Sequence, residues 1–161
     1  MSRLEWIPGP SPLNLSPLQI ENIIELFLSQ TGEVYSVASV MHLPIPQWEG
    51  NLLLVDHDLA EPRPIQGVFW STPFKDDIVR VAAFVIQKEH QGQGYGGQAW
   101  TTFQHAAIKA GYKQVQLEVK ASNHGAQRFY SVRGLKIQQP LVGYYQSGLG
   151  FMMRGPIHRS P

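Results

Sequence analysis

The chain has 161 residues, about the length of one domain and enough to bury about 68–70% of its unfolded surface without covalent staples. Lys and Arg total 13 against 12 Asp and Glu, a net charge of +1, and 43% of residues are hydrophobic. That excludes a disordered chain and removes the basic footprint of a general nucleic-acid binder. Cysteine is absent, which excludes disulfides, Cys-ligated zinc or iron–sulfur centres, and any acyl chemistry through a cysteinyl thioester.

Residues 1–15 form a Pro-rich lead-in (Pro8, Pro10, Pro12) with a short strand near Leu4–Ile7, and no apolar segment of signal-peptide length. The longest apolar runs, Leu52–Val55 and Val81–Ile86, are far short of a membrane span. The expectation is a soluble, cytoplasmic protein. Ser16-Pro17-Leu18-Gln19 reads as a capped helix start, with Pro suited to the first turn and Gln completing a capping box. Ile20, Ile23, Ile24, Phe27 and Leu28 follow at helical spacing, and Gly32 ends the run. Val34–Met41 suggests a second short helix before Pro44 and Pro46. Asn51–Asp56 and Ile65–Trp70 read as an antiparallel strand pair, and Ile78–Gln87 as a longer strand. The apolar centre of that strand, Val81–Ile86, predicts cover on both faces.

The period then changes. Ala99, Phe103, Ala106, Ala107 and Ala110 mark one face of a helix over Gly94–Ala110, stopped by Gly111. Gln114–Lys120 alternates, with Val115, Leu117 and Val119 opposed to Gln116, Glu118 and Lys120. A helix follows from near Asn123, with Ala126, Phe129 and Tyr130 on one face and Gly134 after its end. Leu135–Gln138 and Leu149–Arg154 read as strands flanking a turn-rich loop. The pattern predicts an α/β fold of a single domain over 1–161, with one central sheet of mixed direction.

The sharpest local feature is Gln91-Gly92-Gln93-Gly94-Tyr95-Gly96-Gly97, between a strand and a helix. Glycines there let backbone approach an anion, and the helix N-terminus favours phosphate. The P-loop ending Gly-Lys-Ser/Thr is missing, since Gln98-Ala99 follows Gly97. Gly92-x-Gly94-x-x-Gly97 fits a dinucleotide-binding fingerprint only in isolation. A glycine-rich turn with no ligand is the plain alternative. The six histidines show no metal spacing, and Arg154, His158 and Arg159 make a mildly basic end.

The loop as Gln91-x-x-Gly94-x-Gly96, followed by Leu117-Glu118-Val119-Lys120-Ala121-Ser122-Asn123-x-x-Ala126-x-x-Phe129-Tyr130-x-x-x-Gly134-Leu135, resembles the GCN5-related N-acetyltransferase (GNAT) superfamily. The resemblance spans about Ile78–Arg154, including the Tyr144-Tyr145 and Met152-Met153 tail. It is closest in motif to the ribosomal-protein N-terminal alanine acetyltransferases. Gln91-Gly92, Leu135 and Lys88 depart from commoner family residues, and none of the three bears on the chemistry.

The resemblance implies an acyl-CoA N-acyltransferase fold with splayed parallel strands, an acetyl-CoA-binding core over 78–154, and acetyl-CoA as cosubstrate. It implies that the backbone of Phe84, Val85 and Ile86 pairs with the pantetheine arm and polarises the acetyl carbonyl. Gln91, Gly92, Gln93, Gly94, Tyr95, Gly96 and Gly97 then hold the pyrophosphate. Asn123 contacts pantetheine or caps its helix. Tyr130 matches the family's general acid, its alternative being a core aromatic. Glu118 is the candidate general base, its alternative being a solvated strand face; Glu89, His90, Asp76 and Asp77 are weaker ones. The expected partner is an amine substrate, peptide or small molecule, taken by a monomer or homodimer with no nucleic acid and no membrane. Pro17–Val40 and Pro140–Gly150 are expected to build the acceptor side, where Trp48, Trp70, Tyr144 and Tyr145 either line the site or serve as ordinary aromatics. A non-catalytic acyl-CoA sensor with the same fold is the rival function.

Overall fold

The computed structural model describes residues 3–145 and 148–157, and only the backbone at Tyr144 and Tyr145. The expected basic end at His158 and Arg159, and the side chains of Tyr144 and Tyr145, lie outside the described residues.

Strand β1 (Leu4–Pro8) lies within the Pro-rich lead-in and pairs antiparallel with β2 (Leu52–Asp56), Trp6 opposite Leu54. Helix α1 (Pro17–Thr31) begins as its sequence dictates. Ser16 Oγ accepts from the Gln19 N–H, and Gln19 Oε1 accepts from the Ser16 N–H, each at 3.2 Å. Gly32 closes the helix. The second helix, α2 (Val37–Met41), is shorter than expected because Ser36 supplies its N-cap, leaving Val34 outside.

Strand β3 (Gly67–Lys75) starts two residues later than predicted and runs five further, through Pro73. Buried Ser71 continues it, its N–H and Oγ donating to Asn51 Oδ1 at 2.6 and 2.9 Å. Pro73 is tolerated in the exposed end, where a missing ladder donor costs little. Strand β4 (Ile78–Ile86) departs from expectation in a way that matters later. Ala82 is exposed, and Ala83, Phe84 and Ile86 are only half-buried, so the apolar run is not covered on both faces.

Helix α3 (Tyr95–Lys109) buries Ala99, Phe103, Ala106 and Ala107 as predicted, with Trp100 added and Ala110 left exposed. Strand β5 (Gln114–Lys120) matches its predicted bounds, and α4 (His124–Ser131) is capped by Asn123. The predicted loop over Pro140–Gly150 is instead most of a long hairpin, β6 (Lys136–Tyr145) with β7 (Gly148–Pro156). Register shifts between Ile137 and Gln139 and between Leu141 and Tyr145 absorb the turn-like residues. Pro140 needs no ladder donor on an edge strand.

The seven strands run in the order β1-β2-β3-β4-β5-β7-β6. β4 and β5 are parallel; β1–β2, β2–β3, β5–β7 and β6–β7 are antiparallel. By its internal contacts the chain divides into two units, Met1–Ser71 with Ala83–Phe103, and Thr72–Ala82 with Gln104–Pro161. In the first, Ile20, Ile23 and Leu26 of α1 pack with Leu53, Val68 and Val85. Each such side chain contributes about 1.5–3 kcal/mol by leaving water. Trp70 belongs to this core, fully buried with its ring edge-on to Phe27 at 6.1 Å, and so does not line an acceptor site. Phe69 points to the opposite face and meets Phe84 at 4.7 Å and Phe103 at 4.8 Å. In the second unit Val79, Val115, Leu117, Leu135 and Met153 are buried. Among the described residues no helix is long and apolar enough to cross a membrane.

Candidate active site

In the first unit, β4 ends at Ile86, a short 3₁₀ turn covers Lys88–His90, and the glycine loop leads into α3. Gly92 and Gly94 have φ of 75° and 93°, and no heavy atom lies within 4 Å of where a Cβ would stand at either. The loop therefore presents bare, exposed backbone in a conformation that other residues adopt at a cost. The Gly94 carbonyl accepts from the Gln98 N–H at 3.1 Å, which starts the helix. The N–H groups of Tyr95, Gly96 and Gly97 then head α3 with no acceptor within the helix itself, and the positive end of its dipole lies there. Bare N–H groups at a helix start of this kind can take an anion such as a phosphate.

Side chains brace the loop. Gln91 Nε2 donates to the Ile86 carbonyl at 2.8 Å and to Gln30 Oε1 at 2.7 Å, tying the loop to the end of β4 and to α1. Its amide is thus taken up in holding the loop, and what Gln91 offers an anion is backbone. Gln93 donates to the Glu89 carbonyl at 2.9 Å. The Trp6 indole N–H donates to the Tyr95 carbonyl at 2.8 Å, and its ring packs against Phe84. Phe84, Val85 and Ile86 are thereby placed beside the loop. Trp48, half-buried, covers Gly50 and meets Phe103 edge-on at 6.4 Å, an ordinary packing role.

In the second unit the β4–β5 ladder consists of Ile78↔Gln114, Val79↔Val115 and Arg80↔Gln116, short for strands of nine and seven residues. Glu118 is not a solvated strand residue. Its side chain is 10% exposed, and the Arg80 guanidinium clamps it: Nε donates at 2.9 and 3.3 Å to the two carboxylate oxygens, and Nη2 adds a closer contact to Oε1. A charge-assisted fork of this kind fixes the position and orientation of the carboxylate. Gln116, buried, accepts from Arg154 Nε at 3.0 Å and from Nη2 through its Oε1.

Asn123 caps α4, its Oδ1 accepting from the Ala126 N–H at 3.1 Å. That helix carries Tyr130, which is buried with its ring edge-on to Phe129 at 5.4 Å. Burial pushes the Tyr130 phenol well above the ordinary value of 10.0, so it holds its proton throughout the physiological range. A phenol kept neutral in this way carries a proton available to a departing thiolate, held more tightly than in water because burial disfavours the phenolate. Asp76 and Asp77 form the turn before β4, where the Asp77 carbonyl accepts from Lys113 and Gln114 N–H groups. Glu89 and His90 lie in the 3₁₀ turn, 3.7 Å apart. Among the described residues no three His, Asp or Glu side chains converge.

The sequence pattern does not single out Arg80, Trp6 or Gln30. Arg80 left a trace, because a lone Arg between Val79 and Val81 in an interior strand needs a carboxylate partner. Trp6 and Gln30 left none, since their roles depend on contacts across many residues.

The GNAT acetyltransferase family model matches residues 21–135. The chain belongs to the GNAT acetyltransferase family. Its fold is likewise that of solved GNAT structures. Ard1 from Thermoplasma volcanium superposes with a TM-score of 0.80 at 19% identity, covering 97% of this chain and 99% of that one. The ribosomal-protein-S18-alanine N-acetyltransferase of Escherichia coli gives 0.72 at 16%, covering 100% and 97%. A chain of the NatC complex, solved with Gag peptide and CoA, gives 0.78 at 16%, covering 96% and 99%. No curated protein matches this acetyltransferase in sequence. As a GNAT acetyltransferase, the chain takes acetyl-CoA as its cosubstrate.

Proposed function

We propose that this acetyltransferase moves the acetyl group directly from acetyl-CoA to a primary amine, with a peptide N-terminus as the leading acceptor class. The observation that carries this is the braced glycine loop, open at Gly92 and Gly94 and heading α3. The loop N–H groups bind the diphosphate. The backbone of Phe84, Val85 and Ile86 aligns the pantetheine arm, and an N–H there polarises the acetyl carbonyl. Asn123 caps α4 and thereby sets the position of Tyr130.

The amine nitrogen attacks the thioester carbon, the carbon–sulfur bond breaks, and Tyr130 donates its proton to the departing thiolate. Glu118 receives the proton that the amine loses. Its pairing with Arg80 holds it in place, and an α-amino group asks little of such a base, since a pKa near 7.7–8.0 already leaves part of it neutral. The products are the acetylated amine and free CoA. Absence of cysteine supports direct transfer, because no cysteinyl intermediate can form. Resemblance in fold to N-terminal acetyltransferases supports the peptide acceptor.

Incubation with acetyl-CoA and pools of N-terminal peptides, lysine peptides and small amines, read by mass spectrometry, tests the proposal. Acetylation at peptide α-amines is expected. Acetyl-CoA binding with no acetylated amine in any pool would assign the chain to the sensor class.

A further inference from the structure

Pairing registers place Arg80 opposite Gln116, Gln116 opposite Arg154, and Arg154 opposite Lys136. Residues directly opposed share a face, so these four form a row across β4, β5, β7 and β6. Glu118 is the next residue on that face of β5, with Met152 opposite it, and Lys120 follows. The other face is occupied within the unit. A Cβ at Gly155 would stand 2.4 Å from the Gly134 carbonyl, so the exit of α4 presses on the side of Val115 and Leu117.

Charge on the polar face does not balance. Arg80 is matched by Glu118. Arg154, half-buried, spends its guanidinium on the neutral Gln116 amide oxygen. Exposed Lys136 stands directly across from it. Among the described residues no carboxylate lies within 4.0 Å of either. Like charges directly opposed in a sheet repel, and this pair therefore favours an anion placed on it.

Resting on the transfer reading above, we infer that the acceptor is a primary amine carrying a carboxylate that sits on Arg154 and Lys136. The amine lies by Glu118, one row along the strand. Neighbouring rows on one face are about 7 Å apart and neighbouring strands about 5 Å apart, so the backbone of the Arg154–Lys136 pair is offset from Glu118 by about 10 Å, one row along and one to two strands across. An acidic side chain early in a peptide has that reach, and the long Arg154 and Lys136 side chains can bring the anion closer for a dicarboxylic amino acid.

The test compares kcat/KM for peptides that differ only in a Glu, Gln or Lys at the second position, alongside free glutamate and glutamine. The Glu peptide is expected to exceed its Gln counterpart at least tenfold, through KM, with Lys lowest and the gap closing as salt rises. A preference confined to the free amino acids names a small-molecule source, and one confined to peptides a protein source; either supports the inference. Lys136→Glu, at an exposed position that tolerates the change, and Arg154→Glu should invert the Glu-over-Lys order. Equal rates for Glu and Gln acceptors, or an order untouched by both reversals, would overturn the inference while leaving acetyl transfer standing. Acetylation of no amine at all would remove the transfer reading and this inference together.

Discussion

Tyr130 shows how burial decides a role. A phenol in water loses its proton near pH 10, whereas this one is held protonated by desolvation. Tyr130→Phe should lower kcat about 10²-fold or more while the dissociation constant for acetyl-CoA stays within about twofold, checked by steady-state kinetics and calorimetry. The same shift has a consequence for stability. The raised phenol leaves stability intact below the unfolded-state value of about 10 and removes it as pH climbs toward the folded-state value. Melting temperature against pH should therefore fall more steeply above pH 10 in the wild type than in Tyr130→Phe. Identical alkaline limbs would contradict the buried, neutral phenol. Arg80 and Glu118 act as a unit, so a double-mutant cycle with Arg80→Met and Glu118→Gln should return a coupling of about 1–3 kcal/mol in unfolding free energy.

Among elements, the glycine loop is held by contacts from far along the chain. Trp6 reaches it from β1, Gln30 from α1, and Gln91 ties it to the end of β4. Trp6→Phe keeps the ring packing and deletes the bond to the Tyr95 carbonyl, and should raise KM for acetyl-CoA several-fold with kcat little changed. Gly94→Ala puts a side chain where φ is 93°, costing about 1–2 kcal/mol, and should raise KM for acetyl-CoA by about tenfold. Elements with strong local signals were legible in the sequence. The capping box at Ser16, the bounds of the strand over Gln114–Lys120 and the start of α3 among four closely spaced glycines all stand within a residue of where they are predicted. The β6–β7 hairpin was not, because Pro140 and Gly143 signal turns in sequence while an edge strand with register shifts accommodates both. The exposed Ala82 and half-buried Phe84 and Ile86 were hidden for another reason. An apolar run looks the same whether helices or a ligand cover it.

At the scale of the molecule, the seven strands form one mixed sheet, with the family-matched glycine loop in the first unit and the buried phenol in the second. Near-neutral net charge fits a diphosphate held by backbone N–H groups without a lysine cluster. Acetyl-CoA at 100 times its dissociation constant should add about 2.7 kcal/mol to folding stability and raise the melting temperature by several degrees. The most direct measurement follows free CoA thiol and acetylated amine together during turnover, with intact-mass analysis of the protein at intervals. Direct transfer predicts one CoA released per amine acetylated and no acetylated protein along the way. Binding of acetyl-CoA without product, or an acetyl group that appears first on the protein and then passes to the amine, would contradict it.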